Sequence, residues 1–305
     1  MAHSFGRKIA RFTRARHAPA LVALGAALLC AAALAAGRAA ADEPILAQVT
    51  PVKLSLTARP GSPLCRDVTI SNLGDGAVTV RPHLSDWTLS EEGQLSLSTA
   101  GSSAASLEGT LSFDPVEFLL PPGKSHELHL TLMLPATGAP TRWGMLLFEV
   151  RPAGDANATD GTRSPIAPPA TRPADLGTTI FLSRIPIAEA RASLGPVEVT
   201  PLGGDSIKVS TKLHNIGERQ VNVATEFALS DSSGAKVQTA AVGGGVVLPG
   251  RARRLEWICV TPLKPGGYHA SASLDLGGPD PVITEAVFRW PFGAGATPLA
   301  SQPAR

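Results

Sequence analysis

The sequence predicts an all-β protein, with two tandem immunoglobulin-like β-sandwiches after a cleaved signal peptide. Three observations support this. Gly (30) and Pro (27) make up close to a fifth of the 305 residues, too many for a helical bundle or coiled coil. Apolar residues alternate with polar ones at a period of two, in short runs separated by turn residues. One strand–turn–strand module also occurs twice.

The N-terminus comes first. Arg7, Lys8, Arg11, Arg14 and Arg16 form a basic segment, and residues 18–36 carry no charge. Ala39-Ala40-Ala41 then supplies small residues for cleavage before Asp42. This three-part pattern marks residues 1–41 as a secretory signal. The alternative is an uncleaved anchor, because the apolar run approaches spanning length, but it is mostly Ala and inserts weakly. Either way the rest of the chain is expected in the periplasm or another extracytoplasmic space, with no stable membrane span once the signal is removed. The signal takes six of the 27 basic residues and none of the 25 acidic ones. The formal charge therefore falls from +2 to −4, and nothing in it points to nucleic acid.

The module follows. Val68-Thr69-Ile70-Ser71-Asn72-Leu73-Gly74-Asp75 precedes Val78-Thr79-Val80, and Thr211-Lys212-Leu213-His214-Asn215-Ile216-Gly217-Glu218 precedes Val221-Asn222-Val223. Each copy is an alternating strand, a tight Asn-x-Gly-acidic turn and a second strand. Downstream, Leu120-Pro121-Pro122-Gly123 leads into Leu128, Leu130, Leu132 and Leu134 on one face. Leu248-Pro249-Gly250 leads into Leu255, Trp257 and Cys259. Trp143–Val150 and Tyr268–Leu276 come next. Tyr268, the single Tyr, stands where immunoglobulin-like sandwiches place a corner Tyr whose hydroxyl bonds back to the turn. Turns every 8 to 12 residues then give two copies of a seven-strand plan. The first sandwich is expected over 46–192, with a mobile Pro/Ala/Gly/Thr-rich loop at 152–177 and a closing strand at 178–190. The second is expected over 193–292, with a frayed tail at 293–305.

Chemistry-bearing motifs are weak. No nucleophile elbow, metalloprotease helix, phosphate-binding Gly loop or C-x-x-C pair is present, so neither an enzyme nor a cofactor is expected. His126 and His129 lie three apart on a strand and point to opposite faces, a poor pair for one metal. Glu91-Glu92 reads as a solvated hairpin turn, and Arg251, Arg253 and Arg254 as a surface charge patch. Cys65 and Cys259 fall in different halves and read as free thiols rather than a bridge. Asn157-Ala158-Thr159 is a glycosylation sequon within the loop.

With its export signal, two sandwiches and long loop before the first sandwich's last strand, the chain resembles the PapD-like periplasmic (pilus/fimbrial assembly) chaperone superfamily as a divergent member. The resemblance rests on Asp67–Val80, Phe118–Leu134 and Trp143–Val150, and it covers most of the chain after the signal. It implies a chaperone-type protein that binds exported, pilus-like subunits with an incomplete β-sandwich. Binding would be by strand addition through the last strand of the first domain. The candidate strand carries Ile180 and Leu182 on one face, and Phe181, Ile185 and Ile187 on the other. A strand apolar on both faces suits a partner covering one side; the alternative is a strand buried within the sandwich or under the second domain. The resemblance also implies a basic pair that anchors a partner carboxylate, for which Lys53 and Arg184 are the candidates; solvated charges are the alternative. A different class of function is a structural or adhesive envelope module without chaperone activity.

Overall fold

The computed structural model describes residues 45–153 and 174–292. The expected signal, most of the expected loop with its sequon, and the tail lie outside them. The described residues form eighteen strands and no helix.

One sheet of the first sandwich runs β1 (Ala47–Thr50), β3 (Pro63–Asn72), β8 (Ser125–Met133) and β6 (Leu111–Asp114). The other runs β2 (Lys53–Ala58), β10 (Ala174–Arg184), β9 (Thr141–Pro152), β4 (Val78–Leu89) and β5 (Leu95–Thr99), and β7 (Phe118–Leu120) also pairs with β4. The leading segment of this sandwich is split between the two sheets. β1 pairs antiparallel with β3, and β2 pairs parallel with β10 in the opposite sheet. Pro51, which has no N–H to offer a ladder, stands at the crossing.

In the second sandwich, β11 (Ala192–Leu194) and β12 (Glu198–Gly203) flank one side of β13 (Ser206–Asn215), and β16 (Ala252–Val260) flanks the other. The facing sheet is β15 (Lys236–Val247), β14 (Val221–Asp231), β17 (Gly266–Leu274) and β18 (Val282–Trp290). Each sandwich has its own core. Leu128, Leu130, Leu132 and Leu134 are fully buried in the first, and Leu255, Trp257 and Cys259 are buried in the second. The period-two pattern places these residues on one face because successive strand side chains alternate.

The repeated module is built on matching bonds. The Asn72 side chain donates to the Gly76 and Leu120 carbonyls (2.8 and 3.1 Å) and accepts from the Gly74 N–H (3.0 Å). Asn215 donates to the Arg219 and Val247 carbonyls (both 2.8 Å) and accepts from the Gly217 N–H (2.9 Å). Both side chains are buried, so each pins its turn to the strand before the Leu-Pro segment. The Tyr268 hydroxyl donates to the Lys264 carbonyl at 2.8 Å, closing the corner of the second sandwich.

The strand expected at 178–190 is displaced. β10 starts at Ala174 and stops at Arg184. The Ile185 N–H still reaches the Ala58 carbonyl (3.0 Å), but Pro186 has no donor with which to continue.

Candidate functional site

β10 is the strand on which the sequence places the partner site. Its inner face puts Ile180 and Leu182 in the first core, where both are fully buried. Phe181 on the outer face is 1% exposed, because a second apolar cluster covers it. That cluster joins Phe181 and Trp87 of the first sandwich to Val246 and Leu248 of the second. The Trp87 and Phe181 rings meet edge to face with centroids 5.8 Å apart. The excess of apolar residues on β10 is therefore satisfied within the chain for Ile180, Phe181 and Leu182. Ile185 (43% exposed) and Ile187 (50%) remain open to water, beyond the end of the strand.

Lys53 and Arg184 do not form a common anchor. The β2–β10 register sets Lys53 beside Thr179 and Arg184 beside Ala58. Five residues of strand, about 17 Å, separate the two positions, and the odd offset puts the side chains on opposite faces. The Lys53 ammonium lies 5.3 Å from the centre of the Phe181 ring, and the Arg184 guanidinium donates to the Gly138 carbonyl at 3.4 Å. The basic pair implied by the family resemblance is thus split by register.

β10 is also not a fully open edge. β2 covers it from Thr179 to Arg184. Among the described residues, Ala174–Thr178 pair only with β9. The N–H groups of Thr179 and Ile185 point to the β2 side, toward the Val52 and Ala58 carbonyls (both 3.0 Å). By strand alternation the backbone groups of Asp175 and Gly177 point the same way, where no described strand meets them. The Thr178 hydroxyl, donating to the Pro51 carbonyl at 2.8 Å, marks where the covered half begins. The result is a half-closed edge with a short open ladder upstream.

The remaining candidates have local partners. The His126 ring packs on Phe118 with centroids 4.1 Å apart. His129 Nδ1 lies 2.6 Å from Asp67 on the exposed face of its sheet, and the hydrogen bond to Asp67 raises its imidazole pKa. The two histidines thus have different neighbours. Cys65 is exposed and Cys259 is buried, both as free thiols.

The contact between Glu91 and Arg254 is not visible in the sequence. The Arg254 N–H donates to the Glu91 carbonyl at 2.7 Å, so the tip of the β4–β5 hairpin bonds to the outer edge of β16. The Glu91 carboxylate pairs with Lys212 at 2.8 Å. That hydrogen bond, with the charges of Lys212, Arg254 and His214, holds the carboxyl below its usual range. A hairpin acid and a basic cluster were both visible in the sequence, but nothing in it paired them.

No family model matches the sequence, and no curated protein does. Solved structures with a similar arrangement include CfaA, a class 5 fimbriae chaperone. It has 12% identity and a TM-score of 0.43, covering 79% of this chain and 98% of that one. The chaperone DraB of E. coli has 15% identity and a TM-score of 0.38, covering 82% and 98%. The CsuC–CsuE chaperone–tip adhesion subunit pre-assembly complex of Acinetobacter baumannii has 14% identity and a TM-score of 0.39, covering 69% and 89%.

Proposed function

We propose that the chain is an exported chaperone-type binder that takes up an extended strand of an exported, pilus-like subunit at the open half of the β10 edge. The observation that carries this reading is the β2-side edge of Ala174–Thr178, which meets no strand among the described residues and lies in line with β2 on the same side of the same strand. A strand entering there would satisfy the outward groups of Asp175 and Gly177 and extend the sheet without displacing β2. The exposed side chains of Val52 (70%), beside Thr179, and of Ile185 (43%) mark the two ends of the half that β2 covers, Val52 at its junction with the open half. Export rests on the N-terminal signal pattern, which supports a periplasmic or other extracytoplasmic location. No helix of the described residues is long and apolar enough to cross a membrane.

The test is co-purification of bound subunits from the periplasm with Asp175→Pro, which removes one outward donor and leaves the β9 ladder intact. Recovery is expected to fall at least tenfold, with a smaller fall for Ile185→Asp. Unchanged recovery in both variants would rule out strand addition at this edge.

A further inference from the structure

We infer that the second sandwich braces β10, and that the β4–β5 hairpin is the clasp holding the brace in place. The inference deepens the proposal above, on which it rests for the role of β10. The clasp itself is a property of the unliganded chain.

Three kinds of contact coincide along the joint. The first is apolar: Phe181 and Trp87 are enclosed by Val246 and Leu248, with Leu89, Trp143 and Met145 at the margin. Leu248 is 2% exposed and belongs to this cluster rather than to the core of its own sandwich. The second is a backbone bond. The Arg254 N–H lies on the side of β16 away from β13, and the Glu91 carbonyl meets it as a neighbouring strand would. The third is ionic, between Glu91 and Lys212.

A fourth detail shows how closely the parts fit. The Arg253 guanidinium lies between Gly93 of the hairpin and Gly245 of β15. A Cβ at Gly93 would stand 2.6 Å from Arg253 Nη2, and one at Gly245 would stand 2.8 Å from Nη1. Both glycines have positive φ (83° and 77°), so glycine suits the backbone as well as the slot.

The functional sense follows from β10 itself. On the side away from β9 its upstream half meets no strand among the described residues, and its downstream half carries Phe181 into the joint. An edge that receives a strand binds best when it is already ordered, because the entropy of ordering it is then not charged against binding. The second sandwich supplies that order from the outer face, where β2 and β9 cannot reach.

The experiment is amide hydrogen exchange on the full chain without a partner. Leu248→Ala should speed exchange at Thr179–Arg184 at least tenfold, and leave Leu255–Cys259 and Val68–Ile70 unchanged. Arg254→Pro removes the N–H that meets Glu91 while sparing the β13 ladder, and should act in the same direction. It decides the matter if Leu248→Ala also loosens the second core. Unchanged β10 exchange in Arg254→Pro, or equal acceleration at Val68–Ile70, would overturn the brace. Subunit recovery with Asp175→Pro tests a different step, so the two readings fail separately.

Discussion

The two sandwiches agree at their turns and differ at their corners. In each, a buried Asn uses the same three bonds to tie an Asn-x-Gly turn to a distant strand end. The backbone repeats the match. Asn72 and Asn215 N–H groups reach the Lys124 and Arg251 carbonyls, and Leu73 and Ile216 N–H groups reach Leu46 and Arg191. At the start of the penultimate strand the copies part. Tyr268 bonds within its own turn, whereas Trp143 donates to the Trp87 carbonyl at 3.3 Å and packs at the margin of the joint. The Asn bonds that tie the turns are common to both copies. The corner residue differs in what it packs against: Tyr268 belongs to its own sandwich's core, and Trp143 to the margin of the cluster shared with the other sandwich.

The sharpest way to break the comparison is to remove the pins. Asn72→Ala and Asn215→Ala each remove three side-chain bonds to main-chain groups, and each should lower stability by about 3 kcal/mol. Urea unfolding of the two variants should agree within about 1 kcal/mol; a loss at only one site would show that the matched geometry is not matched energetically. A smaller effect is expected at the corner. Tyr268→Phe removes one hydroxyl bond and should cost about 1 kcal/mol in the same measurement, with hydrogen exchange at Phe181 unchanged. The mildest contrast is between the cysteines. Cys65 should react with a thiol reagent in the folded protein. Cys259, whose thiol pKa is pushed up by burial, should react only after unfolding.

What the sequence disclosed follows from range. The Asn-x-Gly turns, the Leu128–Leu134 alternation and the Tyr268 corner are local patterns, and the structure has them where the residues place them. The apolar surplus on β10 was legible, but its cover was not: Phe181 meets Val246 and Leu248 across the joint, and no periodicity reports which distant surface an apolar face finds. Lys53 and Arg184 mislead for a related reason. Their residue types suit an anion, yet a parallel register decides their separation, and register does not show in either segment alone. Glu91 and Arg254 read as solvated charges because each is polar in a polar neighbourhood; the bond between them is made by main-chain atoms that every residue has.

The parallel pairing of β2 with β10 also has a consequence for the order of assembly. The Thr178 hydroxyl reaches the Pro51 carbonyl across 127 residues of chain. β2 is among the first strands of the sandwich to be synthesised, and it waits for one of the last. Until β10 arrives, the leading segment can pair through β1 with β3 while β2 has no sheet to join. Closing this sheet is therefore a non-local, slow step, during which the first sandwich itself presents an unfilled edge.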